Sequence, residues 1–405
     1  MKWNQRLHKF NLRHYDFWIF LCVMMLLAIG LVMIFSSSAP SSVRGKDGDA
    51  YSVFRNQLRN TAIGFAGMLV LSFVPYRLWS RLSPLILLGA LALLGLVVAP
   101  GFADESVDVH RWLYIGSFGF QPSELAKFAM VCFLSASLAK RRERLKYFFK
   151  GFLPYFLLIV ANVGLLMIEP HLSGSLIIVG VSSLILFTAG AKIRHFFFAG
   201  APLVAGAVVL ISVVEKYRYI LDRVLAFQNP GLDPLGDDWQ IVNSLYAIGS
   251  GGLFGRGIGR SMQKFLYIPE PYNDFIFSVM AEELGFIGVA SVLILFGVLI
   301  WRGFKVSIMA GDLFGSLFAL GITSLIAIQA LFNIAVVTRT VPVTGVSLPF
   351  FSYGGTSMIM FLGEIGILLN ISKSAHVDTV LPVNELRAAE ITHIGRLRKF
   401  VQNDD

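Results

Sequence analysis

The sequence predicts an all-α, polytopic membrane protein of about ten transmembrane helices, and three observations carry that reading. Hydrophobic residues make up 56% of the 405 and charged residues only 15%, whereas a soluble domain carries about 25% charge. The charge deficit is spread along the whole chain, so no large water-exposed surface can be covered. The apolar residues also gather in runs of the length a helix needs to cross a bilayer, roughly 20 residues. The same composition, with its 35 Phe, excludes a disordered or collagen-like chain.

Ten such runs lie near residues 17–36, 61–74, 84–99, 123–139, 152–168, 173–189, 195–214, 284–301, 313–337 and 350–371. An open sheet cannot cross lipid with its edges unpaired, and these runs are too apolar for alternating barrel strands, so the spans must be helical. The first run is too long for a cleaved signal peptide and further spans follow it. The second is short and extends past Val74 or back toward Asn60. Cys22 and Cys132 both fall in apolar runs, which reads as two small buried side chains and no disulfide framework.

Loop charge sets the orientation. Lys2, Arg6, Lys9 and Arg13 precede the first span, Arg77 and Arg81 follow the second, and KRRERLKYFFK (140–150) follows the fourth. Lys192 and Arg194 follow the sixth span, and Arg302 and Lys305 the eighth. With ten alternating spans all of these fall on one side, which the positive-inside rule makes cytoplasmic, together with both termini. The net charge of +9 is explained by these loops, and no nucleic-acid partner is expected. The opposite side holds Asp104, Glu105 and Asp108. The expected organisation is a basic arm over 1–16, a transmembrane domain over 17–372 and a polar cytoplasmic tail over 373–405 that carries Arg396, Arg398 and Lys399. A large extracytoplasmic loop, 215–274, separates spans seven and eight. Loops this long within a compact fold are usually functional. This one reads as partly helical and lying against the membrane face.

Ionisable groups within or at the edge of spans are costly and therefore candidates for function. They are Glu124, Lys127, Glu169, Asp274, Glu282, Glu283, Arg339 and Glu364, and all but Glu364 fall toward the extracytoplasmic half. Asp274 opens the stretch FIFSVM, where it can serve as a helix N-cap or as a rigidly held acid beside a cavity. Pro122 and Ser123 mark a helix start, which sets Glu124 and Lys127 three residues apart on one helix face. That spacing suits a local ion pair or a cation turned toward an anionic substrate. Arg111–Trp112 just before it suits an interfacial anchor. GSGGLFGRGIGR (249–260) lacks the Gly-Lys-Ser/Thr ending of a nucleotide loop and follows no strand. It reads either as a set of tight turns or as a flexible carrier of Arg256 and Arg260 for pyrophosphate oxygens. PVTGVSLPFFSYGGTS (342–357) breaks helical continuity, and broken backbone at membrane depth survives only where it lines a cavity or is buried in protein. Asn333 precedes it. No His, Cys or carboxylate cluster has metal-ligand spacing.

Taken together these motifs resemble the SEDS family of bacterial membrane proteins, whose members include FtsW, RodA and SpoVE. The pieces are Arg111–Trp112, QPSELAK (121–127), AIGSGGLFGRGIG from Ala247, PEPYNDFIF with Asp274, AEELGFIG from Ala281, and Asn333 through Ser357. Two positions depart from the pattern: His171 in PHLSGS stands where an acid is usual, and Thr340 where an aliphatic residue is. The resemblance, closer to FtsW and SpoVE than to RodA, implies polymerisation of lipid II into glycan strands of peptidoglycan in cell division at the septum. RodA-like elongation or SpoVE-like sporulation are the alternative roles. It implies Asp274 as the catalytic residue, Lys127 on the same cavity, and Arg111 and Trp112 as sensitive positions. It further implies lipid II and undecaprenyl-pyrophosphate-linked glycan as substrates, and a class B penicillin-binding protein and other divisome proteins as partners.

On this reading Asp274 is the base for the attacking sugar hydroxyl, and Lys127 is the main cation for the departing pyrophosphate. Arg111, Trp112, Glu124, Arg256, Arg260 and Arg339 complete the expected substrate contacts. A divalent cation, Mg or Mn, could accompany the pyrophosphate. Two readings from other classes stand beside it: a lipid II flippase, for which polar groups inside a bundle are equally suited, and a non-catalytic scaffold that recruits a transpeptidase.

Overall fold

The computed structural model describes residues 15–44, 49–99, 111–115, 118–228, 237–265 and 267–379. Basic residues 2, 6, 9 and 13, acidic residues 104, 105 and 108, and the tail beyond 379 lie outside the described residues.

The chain runs through α1 (Phe17–Arg44), α2 (Ser52–Phe73), α3 (Arg77–Val98), a two-stranded hairpin β1 (Leu113–Ile115) and β2 (Phe118–Phe120), then α4 (Pro122–Arg141), α5 (Leu153–Ile168), α6 (Leu172–Thr188) and α7 (Ile193–Val213). After these come α8 (Arg218–Gln228), α9 (Asp237–Ser250), α10 (Ile276–Met309), α11 (Leu313–Val337) and α12 (Gly355–Thr379). Each of the ten predicted spans coincides with one of the long helices. Seven of these, α1, α3, α5, α7, α10, α11 and α12, are long and apolar enough to cross a membrane, the fifth counted with the turn from Phe148 that leads into it. The others fall short for plain reasons. Helix α2 carries Arg55 and Arg59, α4 carries Glu124, Lys127, Lys140 and Arg141, and α6 has only 17 residues. The antiparallel hairpin, which pairs Leu113 with Phe120, was not expected.

Apolar side chains gain little by leaving lipid for another helix, so close packing of small residues decides which helices meet. The α2–α12 contact shows this: a Cβ at Gly366 would lie 2.4 Å from the Met68 carbonyl oxygen, and one at Gly64 would lie 2.8 Å from Leu362. Helix α11 packs against α4, α6, α10 and α12 and forms the centre of the bundle with buried Phe318 and Ile322. Helix α7 sits apart with Phe197, Phe198, Val204 and Val213 exposed and α8 beside it. Cys22 and Cys132 are both buried and unpaired.

One end of the bundle is closed by charge. Asp16 caps the start of α1 and accepts from Arg302 at 2.6 Å, and Asp312 caps α11 and accepts from Tyr76 at 2.8 Å and Arg77 at 3.0 Å. Lys373 lies over the Tyr15 ring at 3.9 Å. These contacts join the start of α1, the α2–α3 turn, the α10–α11 turn and the end of α12, the segments whose basic residues the loop-charge reading placed together.

Helix α10 is broken at Gly285, which has φ 67° and ψ −171°, a region that glycine alone occupies freely. The break leaves backbone groups without helical partners, and the Gly-rich segment supplies them. Arg256 N and Gly257 N donate to the carbonyls of Glu282 and Glu283, and Phe286 N and Ile287 N donate to the carbonyls of Gly252 and Leu253. Close approach requires bare backbone, since a Cβ at Gly255 would lie 2.1 Å from the Glu283 oxygen. Of the two readings of 249–260, the tight turns describe its backbone.

Candidate active site

At the end of the bundle away from the charge pairs, a cavity of about 310 Å³ opens among α4, α6, α11 and the loops before α10 and α12. Its walls include Arg111, Trp112, Glu124, Lys127, His171 and Asp274, together with Gln329, Ser347 and Tyr353. Five of the eight predicted site residues therefore share one hollow, with Asp274 and Lys127 both among them. Arg256, Arg260 and Arg339 do not line it.

Each wall is placed by a local cause. Pro122 starts α4 in the first turn, where its missing N–H costs nothing. That start turns Glu124 and Lys127 inward. Lys127 Nζ donates to Glu124 Oε1 and to Gln329 Oε1, each at 2.9 Å, and both charged groups are buried. The hairpin carries Arg111 and Trp112 to the rim. It is pinned by Thr356, whose Oγ1 accepts from Gln121 N at 3.0 Å and donates to the Gly119 carbonyl at 3.1 Å. Gln57 holds the broken segment before α12 by donating to the Ser352 carbonyl and accepting from Gly354 N, each at 3.3 Å.

Asp274 does not cap α10. The cap position belongs to Phe275, which makes no side-chain cap bond. Among the described residues no donor hydrogen-bonds the Asp274 carboxylate, which leaves it open to the cavity. Its backbone, by contrast, is clamped: Asn333 Nδ2 donates to the Asp274 carbonyl at 2.7 Å and to the Val346 carbonyl at 2.6 Å. Withdrawal from water raises its pKa to about 6, against the opposing pull of Arg111. A half-buried acid with that pKa is a competent base near neutral pH.

Arg111 donates to the carbonyls of Glu169 at 3.4 Å and Pro170 at 2.5 Å, and it has no carboxylate in ion-pair contact among the described residues. Its positive charge is therefore available to an anion, whereas that of Lys127 is already shared with Glu124. Glu169 is buried with both side-chain oxygens unpartnered, and burial pushes its pKa up to about 8. Glu364, placed apart from the other ionisable groups by its sequence position, is buried on α12 close enough to Lys127 and Glu124 to feel both charges.

The three arginines outside the cavity have other duties. Arg256 reaches Glu282 at 3.3 Å, Arg260 is exposed, and Arg339 donates to the Phe227 carbonyl at 3.3 Å. Arg339 also ends α11 in the left-handed region, with φ 53°, where Thr340 N closes back on the Ala335 carbonyl as helix C-caps do. Sequence reasoning did not single out Gln329 or His171 as ligands of this cavity. A lone polar residue inside an apolar run marks Gln329, while His171 was marked only by its departure from the family pattern. Among the described residues no three His, Cys, Asp or Glu side chains gather as a metal site.

The model of the FtsW/RodA/SpoVE family, described as cell cycle protein, matches residues 17–377. Stage V sporulation protein E of Bacillus subtilis (strain 168) is 41% identical over 88% of this chain and 97% of its own length. A probable peptidoglycan glycosyltransferase FtsW of Trichlorobacter lovleyi is 40% identical over 90% of this chain and 94% of its own. Among solved structures, a chain from a peptidoglycan synthase complex studied for its coordination of polymerisation and crosslinking superposes with a TM-score of 0.73 at 29% identity, over 90% of this chain and 99% of that one. The Thermus thermophilus rod shape determining protein RodA superposes with a TM-score of 0.65 at 28% identity, over 90% of this chain and 99% of that one.

Proposed function

The chain belongs to the FtsW/RodA/SpoVE family of multi-pass membrane proteins, and from that premise we propose that it is a peptidoglycan glycosyltransferase that polymerises lipid II through this cavity. The observation that carries the reading is that an acid, Asp274, and a guanidinium, Arg111, neither of them in ion-pair contact among the described residues, lie on one hollow. A glycosyl diphosphate already has a good leaving group, so the site needs a base for the acceptor and positive charge for the departing anion.

The donor is a glycan on undecaprenyl diphosphate and the acceptor is lipid II. Asp274 takes the proton of the acceptor GlcNAc 4-hydroxyl while that oxygen bonds to the donor anomeric carbon. The bond from that carbon to the phosphate oxygen breaks, and the diphosphate leaves with the electron pair. Arg111 faces the charge that develops. Lys127, held by Glu124 and Gln329, adds a weaker field and fixes the floor of the cavity. Asn333 is a positioning residue that sets the Asp274 backbone. Any divalent cation arrives with the diphosphate as part of the substrate.

The family description, cell cycle protein, supports a role in division, for which the septum would be the site of action, whereas the relative named stage V sporulation protein E supports a sporulation role instead. The synthase complex among the structural neighbours supports a partner transpeptidase of the class B penicillin-binding type. The test is a gel-resolved polymerisation assay with purified lipid II, with and without that transpeptidase. Asp274→Asn is expected to elute as a folded protein and to lose about 10²–10⁴-fold in rate, the range of a positioned base. Full activity of that variant removes the base assignment, and an inactive wild type under both conditions removes the function.

A further inference from the structure

His171 lines the cavity and is more than nine-tenths buried, yet its Nδ1 has no hydrogen-bond partner. Its backbone is fully committed: the N–H donates to the Leu166 carbonyl at 2.9 Å, and the carbonyl accepts from Ser175 N at 3.2 Å and Ser175 Oγ at 3.1 Å. The imidazole is fixed as well. It lies across Gly174, where a Cβ would come within 3.0 Å of Cε1 and 3.1 Å of Nδ1. A buried polar atom without a partner in an otherwise satisfied environment calls for a specific account. Nδ1 is sealed from the cavity, so the nitrogen that the ring can present to a ligand there is Nε2.

The electrostatics say what that ligand atom is. The ring lies within the fields of both Arg111 and Lys127, and no carboxylate among the described residues touches it. Burial first, then these two cations, push its pKa down to about 3, so the imidazole is neutral. A neutral imidazole has one N–H to place. An oxyanion drawn in by the flanking cations repels a lone pair and selects the tautomer that carries the proton on Nε2, which leaves the sealed Nδ1 as the bare nitrogen.

We propose that His171 is a substrate-contacting residue whose Nε2–H donates a hydrogen bond to an oxygen of the lipid-linked diphosphate, between Arg111 and Lys127. The inference rests on the reading of the cavity as the polymerisation site. It assigns to His171 recognition of the diphosphate rather than proton transfer, so the effect falls on binding.

The full chain is assayed in liposomes for KM and kcat with lipid II, and separately for binding of undecaprenyl diphosphate in competition with a fluorescent analogue. Asn presents an N–H where His carries Nδ1, and Gln presents one where His carries Nε2. His171→Gln is expected to stay within about 2-fold of wild type in KM, and His171→Asn and His171→Phe to rise about 10-fold with kcat nearly unchanged, the loss of one hydrogen bond to a charged group. Gly174→Ala keeps the imidazole but pushes the ring off its position, and is expected to raise KM several-fold. Undecaprenyl diphosphate affinity follows the same order. Unchanged KM and affinity in His171→Phe, or equal losses in the Asn and Gln variants, overturn the proposal. Should His171→Phe fail to give a monodisperse protein, the Asn–Gln contrast and Gly174→Ala decide it. A wild type that binds undecaprenyl diphosphate through His171 but polymerises nothing sinks the glycosyltransferase reading and leaves this one standing.

Discussion

Two pairs of acids withdrawn from water, Glu282 with Glu283 in α10 and Asp274 before α10 with Glu169 after α5, are treated in opposite ways. Glu282 and Glu283 sit just before the break at Gly285 and are completely satisfied. Glu282 accepts from Ser261 Oγ at 2.5 Å, Met262 N at 3.0 Å and Arg256 at 3.3 Å. Glu283 accepts from Ser36 Oγ at 2.7 Å and from the buried Lys264 at 2.7 Å. Both side-chain oxygens of Glu169 are buried without a partner, and the half-buried Asp274 carboxylate accepts from no donor among the described residues. A buried charge is costly unless its lone pairs are filled. The filled pair therefore fastens the Gly-rich segment to α10, and of the two open acids Asp274 lies on the cavity, where a ligand can complete its contacts. Burial alone does not separate the two; the count of partners does.

The sharpest way to break this contrast is to uncouple the filled pair. Glu283→Gln leaves the Lys264 ammonium buried without a counter-charge, which costs about 3–5 kcal/mol. The expected result is a large fall in thermal midpoint in detergent. Adding Lys264→Met to that variant removes the stranded charge and is expected to recover much of the loss. Asp274→Asn, by comparison, strands nothing and leaves the midpoint at or above that of wild type. If both single variants destabilise equally, partner count does not distinguish anchor from active site.

A second measurement sharpens the open side. Asp274 has its pKa raised to about 6, and it works as a base only when ionised. The sign follows: the polymerisation rate climbs as pH rises through about 6 and levels off above it, with a fall of about tenfold per unit well below. A profile flat from pH 5 to 8 shows that some other group accepts the proton.

The ten spans were legible because apolar runs of helical length survive any detail of packing. Most of the cavity was legible too. Arg111, Trp112, Glu124, Lys127 and Asp274 are charged or amphipathic residues placed where apolar ones are expected, and such exceptions stand out along the chain. What could not be read was tertiary. Helix α10 begins at Ile276 with Asp274 outside its cap, because the carboxylate is left to the cavity while Phe275 takes the cap position. The Gly-rich segment follows the same logic. Its glycines suggested a phosphate carrier, but they exist so that bare backbone can reach the break at Gly285, a contact across some thirty residues that no local periodicity encodes. His171 looked like a departure from a family pattern and gained a meaning only when its ring proved to stand on the cavity wall.

The smallest expected effect bears on that Gly-rich segment. Arg256 was an expected pyrophosphate contact, yet it stands exposed at the surface and reaches Glu282 at 3.3 Å. Glu282 keeps Ser261 and the Met262 amide when the guanidinium is removed. A partly solvated pair of this kind is screened and contributes about 1 kcal/mol or less. Arg256→Gln should therefore lower the thermal midpoint only slightly and leave lipid II polymerisation within about 2-fold of wild type, because it alters no cavity group. A tenfold loss in rate without loss of stability would instead bring Arg256 to the diphosphate. It would mean that the Gly-rich segment leaves α10 during turnover, so that an anchor by partner count also serves the reaction.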